Sequence, residues 1–405
     1  MKIALVIERM DAARGGRETS TAQLADALSR AGQEVTILCQ SGQSPTGDVQ
    51  LRVLPARGLT RRARLRCFGD AVAAVAGEFD IVHAMLPLPG ANVIQLRSGT
   101  VPGQARAARQ RRGPLLGPLL DALTPFNRQR RFMGQLELAT MANPRVLMLP
   151  VSQLVADEIA RHYGRRDNVR VIYNAVQPPA ISTQQQRELR QQLRRQVNAG
   201  DDETVFLTVA KNYALKGVKE TIEAFDRWHK QASRQANSQP GRLIVVGRDR
   251  VECEGYVRHA AMRGLGQRCL FLPHDPDVAR WFAAADVNVL LSWFDPCSRV
   301  VLEAACLGLP SITTAMNGAS EILTDGAGVI INSPRDITAA TAAMHTLSDP
   351  ATRAAARDKC LALVPKLAMS RHVKELLKAY ETVARKRSCN HNENTKTQHD
   401  DITTT

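Results

Sequence analysis

The sequence predicts an α/β protein built from two Rossmann-like, doubly wound domains that face a central cleft. Short β-branched apolar runs alternate with amphipathic stretches along most of the chain. That alternation starts afresh once, after "NAVQPP". The 405 residues also suit about two domains at the usual ~150 residues each.

In the first half, "KIALVIE" (Lys2 to Glu8) reads as a strand, followed by the loop "MDAARGG". "RETSTAQLADALSRAG" reads as a helix with Leu24, Ala25, Leu28 and Ala31 on one face and Gly32 ending it. "EVTILCQ", "VQLRVLP" and "FDIVHAM" are the next strands, and "VLMLPVS" and "VRVIYNAV" close the set. Residues 1–178 form this domain. A polar Gln- and Arg-rich stretch within 179–203 predicts a linker helix.

The second domain spans 204–370. Its strands are "TVFLTVA", "RLIVVG", "CLFLPH", "VNVLLSW", "PSITTA" and "GVIIN". "RHVKELLKAYETVARKR" predicts a final helix over 371–387. Residues 388–405 are polar and aperiodic, which predicts disorder. Both sheets direct the carboxyl ends of their strands at the cleft.

Composition removes several classes. No apolar run approaches the ~18 residues that span a bilayer. The apolar start is followed by charges without a small-residue cleavage site, so it reads as a strand and not as a signal peptide. The eight cysteines form no C-x-x-C pair, which leaves zinc and redox motifs unsupported and predicts free thiols in a reducing cytoplasm. A net charge of +15 calls for an anionic partner: nucleic acid, anionic lipid or a phosphorylated substrate. Aromatic residues make up only 4%, and no nucleic-acid motif is present, so nucleic acid is not expected.

The most informative stretch is "SWFDPCSRVVLEAACLGLPSIT" (Ser292 to Thr313). It reads as the end of a strand, a loop, a helix and the next strand. Asp295 lies in the loop past the strand's carboxyl end, and Glu303 lies about one turn into the helix. A helix N-terminus presents N–H groups and a positive dipole end to an anion. Carboxylates on either side accept hydrogen bonds from hydroxyls. A diphosphate between two polyhydroxyl groups, as in a nucleotide sugar, matches that layout; a helix cap at Asp295 and a first-turn charge at Glu303 is the plainer alternative.

Other candidates follow the same logic. Gly15 and Gly16, in the first βα loop, allow backbone to approach a diphosphate, or simply make a turn. Lys211 and Lys216 lie past the first strand of the second domain, where two ammonium groups neutralise a leaving diphosphate or stand in solvent. Gly247 ends another strand of that domain. Asp275 and Asp277 spell D-x-D, a hard-metal pattern, but stand where Asp opens a helix. His83 ends a strand and either meets a substrate hydroxyl or serves the core.

Taken together, "GG…LADALSRAGQEVTILC", "VAKNYALKG", "VVG" and "FDPCSRVVLEAACLGLPSITTAMNGASEIL" resemble, in order, the retaining GT-B glycosyltransferases of family 4. The resemblance runs to about residue 384. The family's Glu-x7-Glu motif has Asp295 in place of its first Glu and Glu303 as its second. Its Arg-x4-Lys pair is matched by Lys211 and Lys216. Within the family, "LPLPGANVIQLRSG", the basic insert after it and "ELATMANPRVLMLPVSQLVADEIARHY" are similar to the lipopolysaccharide core glucosyltransferases, with Ser98 near the place of an Asp.

The resemblance implies that Glu303 binds ribose hydroxyls and Asp295 the transferred hexose. It implies that Lys211 and Lys216 hold the diphosphate, with Gly15, Gly16, Gly247, Ser298, Arg299, Val300 and Val301 completing the donor site. His83, Arg97 and Ser98 fall on the acceptor side. The reaction it implies is transfer of a hexose, glucose from UDP-glucose first among the candidates, to a lipopolysaccharide-core or other lipid-linked glycan. The donor's face is retained and no metal or other cofactor takes part. Another sugar and glycan, or sugar-nucleotide epimerisation, are the alternatives; epimerisation calls for acid/base groups that the sequence does not display.

One segment remains, "QARAARQRRGPLLGPLLDALTPFNRQRR" from Gln104 to Arg131, with seven arginines and one aspartate. Leu115, Leu116, Leu119, Leu120 and Leu123 recur at helical steps. Arginines flanking such a stripe predict a helix lying on an anionic membrane surface. This places the protein peripherally on the inner face of the cytoplasmic membrane; packing of the leucines on the protein's own core is the other reading.

Overall fold

The computed structural model describes residues 1–11, 16–44, 48–122, 127–177, 182–234, 241–248, 250–275 and 277–400, with backbone alone at 114–122, 183, 250 and 386–400. Two six-stranded sheets organise it. The first holds β1 (Lys2–Val6), β2 (Glu34–Cys39), β3 (Gln50–Val53), β4 (Ile81–Ala84), β5 (Val93–Ile94) and β6 (Leu147–Met148). The second holds β7 (Val205–Val209), β8 (Arg242–Val246), β9 (Cys269–Leu272), β10 (Val287–Leu290), β11 (Ser311–Thr314) and β12 (Gly328–Ile331). Every pairing is parallel. The orders are β3-β2-β1-β4-β5-β6 and β12-β11-β10-β7-β8-β9, so each sheet has the doubly wound order and reverses at one point.

In the first half the helices are α1 (Gly16–Arg30), α2 (Arg61–Val75), α3 (Val101–Ala122), α4 (Arg128–Ala142) and α5 (Gln153–Tyr163). The expected linker helix is α6 (Thr183–Gln196), opened by a capping box between Ser182 and Gln185. The second half adds α7 (Val218–Ala232), α8 (Arg250–Ala261), α9 (Ala279–Ala284), α10 (Arg299–Cys306), α11 (Ile337–Ser348), α12 (Pro350–Ala362), α13 (Val364–Leu367) and α14 (Met369–Asp400). No described helix is long and apolar enough to cross a membrane.

Burial follows the sequence periodicities. β1 is buried from Ile3 to Val6, and α1 buries Thr21, Leu24, Ala25 and Leu28. Ala31, expected on that face, is exposed: α1 ends at Arg30, and Gly32 turns the chain with φ +78°.

Three expectations change. "VRVIYNAV" is not a strand. It makes isolated bridges, Val169 to Met148 and Val176 to Ala368, because it leaves the sheet edge and crosses towards the second domain. β5, a two-residue strand, was not anticipated. The helix expected over 371–387 runs from Met369 to Asp400, through most of the segment expected to be disordered; no Gly or Pro interrupts 386–400.

α14 belongs to the first domain's core, although it ends the chain. Val373, Leu376, Ala379, Tyr380 and Val383 pack in one cluster with Ile3, Leu5, Leu24 and Leu28. The chain therefore crosses between the domains twice. The crossings lie side by side, with the Val176 N–H donating to the Leu367 carbonyl at 3.0 Å. α14 also holds the first crossing: Arg371 donates to the Tyr173 and Asn174 carbonyls at 3.1 and 3.2 Å, and His372 Nδ1 lies 2.9 Å from the Tyr173 carbonyl.

Candidate functional site

Each sheet's order reverses beside its first strand, between β1 and β4 and between β7 and β10. Ligands of open α/β sheets occupy such switch points. The loops that leave β1, β7 and β10 carry most of the predicted site residues, and the structure brings the two sets of loops face to face.

On the second domain, the loop after β7 is closed by Gly217, whose φ of +69° starts α7. A Cβ there would lie 2.0 Å from the Leu291 carbonyl oxygen, so only glycine lets this loop reach the end of β10. The Trp293 N–H then donates to the Leu215 carbonyl at 2.9 Å. This carries Lys216 onto Asp295, and Lys216 Nζ is hydrogen-bonded to Asp295 Oδ2. Asp295 is buried and its loop is fixed: its N–H donates to the Met316 carbonyl at 2.9 Å, and its carbonyl accepts from the Gly318 N–H at 2.8 Å. Lys211, by contrast, is exposed at the strand end. The two lysines therefore occupy different environments.

α10 begins directly behind Asp295. Ser298 opens it without a side-chain cap, so the N–H groups of its first turn are not covered by their own N-cap residue. Asn317 fixes the approach, accepting from the Ser298 N–H at 3.2 Å. Val301 is buried in the core shared by both domains, so its part in any anion site is restricted to its backbone. Arg299 donates to Glu303 at 3.0 Å, to Gln23 of α1 at 2.9 Å and to the Ala175 carbonyl at 3.3 Å. Burial raises the Glu303 carboxyl above its ordinary range, and Arg299 offsets only part of that.

The first domain meets this face at Gly16, where a Cβ would lie 3.6 Å from Arg299 Cδ. Gly15 lies outside the described residues. Arg97 is held by Gln95 at 2.7 Å, by Thr21 at 3.1 Å and by Ser20. Burial, and then the charge of Arg299, lower the Arg97 guanidinium to about 9. Arg17 adds to that repulsion. Three guanidiniums thus crowd the junction of α1 and α10, an arrangement that favours an anion between them. Sequence reasoning missed Arg17 and gave Arg97 to the acceptor.

Other predicted residues stand apart. His83 does not face the cleft: it is fully buried, its Nδ1 is 2.7 Å from Tyr380 Oη, and burial lowers its pKa well below the usual value. Its strand lies in the middle of the sheet and is covered by α14. Ser98 is exposed, and its carbonyl accepts from Gln104 at 2.9 Å. Gly247 has φ +137°, and a Cβ would lie 2.1 Å from the Ala210 carbonyl oxygen, so packing on β7 already requires glycine. Asp275 accepts from Arg280 and Trp281, both at 2.7 Å, and from the Asp277 N–H at 3.0 Å; it does not cap α9, whose N-cap is Val278, so its carboxylate is held by side chains instead of opening the helix. Among the described residues no group of three or more His, Cys, Asp and Glu side chains is placed to hold a metal ion.

In the basic segment, α3 kinks at Gly113, with φ 87° and ψ 175°, and α4 begins at Arg128. Arg111 and Arg112 are exposed. Arg106 turns inward and is paired to the buried Glu158. The side chains of Leu115, Leu116, Leu119, Leu120, Leu123 and Phe126 lie outside the described residues.

Contacts that sequence reasoning did not find join the domains. Glu321 accepts from the Gln153 and Leu154 N–H groups, both at 2.7 Å, at the start of α5. Asn174 donates to the Cys297 carbonyl at 2.9 Å. The Asn317-Gly318 turn dipeptide was the one available signal; the others are ordinary residues until the fold joins them.

Comparison with known proteins agrees with this fold. Residues 14–178 match the family "Glycosyltransferase Family 4", and residues 190–360 match "Glycosyl transferases group 1". The Vi polysaccharide biosynthesis protein VipC/TviE of Salmonella typhi is 25% identical over 229 residues, 54% of this chain and 37% of its own length. The lipopolysaccharide glucosyltransferase WaaG of Escherichia coli (strain K12) is 25% identical over 190 residues, 46% of this chain and 49% of its own. The chain spans less than half the length of these curated relatives. A WaaG crystal structure superposes with a TM-score of 0.76 at 19% identity, covering 94% of this chain and 99% of that one. Anabaena Alr3699/HepE, solved with UDP and glucose, superposes at 0.68 with 20% identity, covering 94% and 99%.

Proposed function

The chain belongs to the GT-B glycosyltransferases, and from that premise we propose that it transfers a hexose from a nucleotide diphosphate sugar to a glycan acceptor. UDP-glucose is the donor we expect. The observation that carries the reading is the convergence, at the second sheet's switch point, of the Lys216–Asp295 pair and the α10 N-terminus, opposite Gly16. Glucose and UDP accompany the superposable HepE structure, and WaaG is by name a glucosyltransferase.

The chemistry follows from where charge develops. Departure of the diphosphate leaves positive charge on the anomeric carbon and negative charge on phosphate. Preorganised donors for that negative charge are the large catalytic term. The α10 N-terminus, Lys216 and Arg299 supply them. Lys216 exchanges Asp295 for phosphate as the donor enters, which frees Asp295 to accept a hydroxyl of the hexose. Glu303 takes the ribose. The acceptor attacks the face the phosphate leaves, and the phosphate takes its proton, so configuration is retained. The cations and the helix end do what a metal does elsewhere, and no cofactor is called for. The pair Lys211 and Lys216 works unequally, with Lys216 at the phosphates and Lys211 at the rim.

We place the protein peripherally on an anionic membrane surface, through Arg111, Arg112 and the arginines at the start of α4, with a lipid-linked acceptor. Vesicle co-sedimentation of the protein and of a variant with Arg111, Arg112, Arg128, Arg130 and Arg131 changed to Gln tests this. Equal binding by both rejects the segment. The transferase reading is tested by donor hydrolysis across UDP-, GDP- and ADP-sugars. Release of UDP from UDP-glucose is expected; no hydrolysis of any donor overturns it.

A further inference from the structure

Beside Asp295 a cavity of about 650 Å³ opens between α3 and the second domain, within the ~300–1,000 Å³ of ligand pockets. Arg106, Arg109 and Gln110 of α3 form one wall; Trp293, Met316 and Arg335 form part of the other. It adjoins the donor site directly: Trp293 is two residues before Asp295, and the Met316 carbonyl accepts the Asp295 N–H at 2.9 Å. The wall is cationic. Arg335 lies over the Trp293 ring, 5.1 Å from its centroid, and donates to the Gln110 carbonyl. The carboxylate beside Arg106 is Glu158, only 1% exposed, and it also serves Arg161 at 3.4 Å and His162 at 3.2 Å. Glu158 is therefore shared among Arg106, Arg161 and His162 and is not reserved for Arg106.

We propose that this cavity is the acceptor subsite and that the acceptor is an anionic saccharide, held through a carboxylate or phosphate by Arg106, Arg109 and Arg335 beside Trp293. The inference rests on the transferase reading. Guanidinium groups bind both anions through paired hydrogen bonds, and Arg is the side chain suited to that geometry. The cavity meets the two demands on an acceptor site: it touches the loop that holds the transferred sugar, and both domains build it. His83, expected on the acceptor side, is sealed in the core, and Arg97 is engaged with α1.

The test follows the indole N–H signal of Trp293, assigned with Trp293→Phe, in the ¹⁵N spectrum of the full chain. A glucuronate-containing disaccharide, a phosphorylated disaccharide and a neutral disaccharide are titrated separately. The signal should move with at least one anionic sugar, at about tenfold lower concentration than with the neutral one. The responding arm identifies carboxylate or phosphate. Inorganic phosphate should compete in the wild-type protein, and Arg109→Gln with Arg335→Gln should weaken binding about tenfold or more. Equal response to neutral and anionic sugars, or no response, overturns the inference. Titration with UDP, GDP and ADP reads the underlying reading separately: a nucleotide response without an anionic-sugar response sinks only this proposal, and no nucleotide response removes the acceptor role.

Discussion

Replacing Lys216 by Met removes the ammonium and keeps most of the side chain's bulk. Asp295 then stays buried without its partner: its side chain is 9% exposed, and that of Lys216 23%. Breaking a fully buried pair costs about 3–5 kcal/mol, while exposed pairs contribute about 0–1 kcal/mol. The intermediate exposure here gives a loss of about 2 kcal/mol. That corresponds to a fall in Tm of roughly 4–8 °C in the second domain. Activity should fall further, because the lost group is also a donor to the leaving phosphate, and one such donor is worth about 10²–10³ in kcat. The two effects separate in the double variant. Adding Asp295→Asn removes the uncompensated charge, so Lys216→Met/Asp295→Asn should regain most of the lost Tm and none of the lost turnover. Thermal melts and donor-hydrolysis kinetics on the four proteins decide it. A single variant that melts like wild type, or a double variant that recovers activity, refutes the reasoning.

Three further outcomes follow. Because burial raises the Glu303 carboxyl above its ordinary 4.5, the folded protein keeps a proton that the unfolded chain has lost, and stability falls as pH rises through that window; Glu303→Gln should flatten this trend while weakening UDP binding, as melts against pH and calorimetry with UDP will show. His372, lowered by burial from 6.5 to about 3, contributes stability above 6.5 that is lost as pH falls towards 3; His372→Asn should reduce the slope of stability between about pH 4 and 6, by at most about 1.4 kcal/mol per pH unit, and an unchanged slope excludes this residue as a source. Asp275→Asn should lower Tm through its lost bonds to Arg280 and Trp281 yet leave donor hydrolysis intact, and EDTA should not inhibit the wild type; inhibition reversed by Mg²⁺ or Mn²⁺ would falsify the metal-free reading.

The two-domain plan was legible because each sheet is written in short-range periodicity: β1, α1 and β2 are recognisable within their own residues. The local layout of the candidate site was legible to the same depth. Asp295, the α10 N-terminus and Glu303 lie within one strand–loop–helix unit, so their common destination shows in a dozen residues. Pairing across long separations did not show. The Lys216–Asp295 bond joins residues 79 apart, and Tyr380 meets His83 across 297 positions. His83 was misplaced for this reason: its strand end looks open until α14 returns from the far end of the chain to cover it. The 169–176 stretch has a strand's composition, but it meets β6 only through the single bridge of Val169 to Met148 before it leaves for the second domain, and composition alone does not show where it goes.

The paired crossings at Val176 and Ala368 have a mechanical consequence. A single flexible tether would let one half tumble freely against the other. Two segments bonded side by side form a double hinge, in which neither bends without the other. The grip of Arg371 and His372 on Tyr173 and Asn174 anchors one leaf of that hinge to the first domain, and Asn174 and Arg299 attach the same few residues to the loop ahead of α10. Any opening of the cleft must therefore bend both crossings together, beside the loop that bears Asp295.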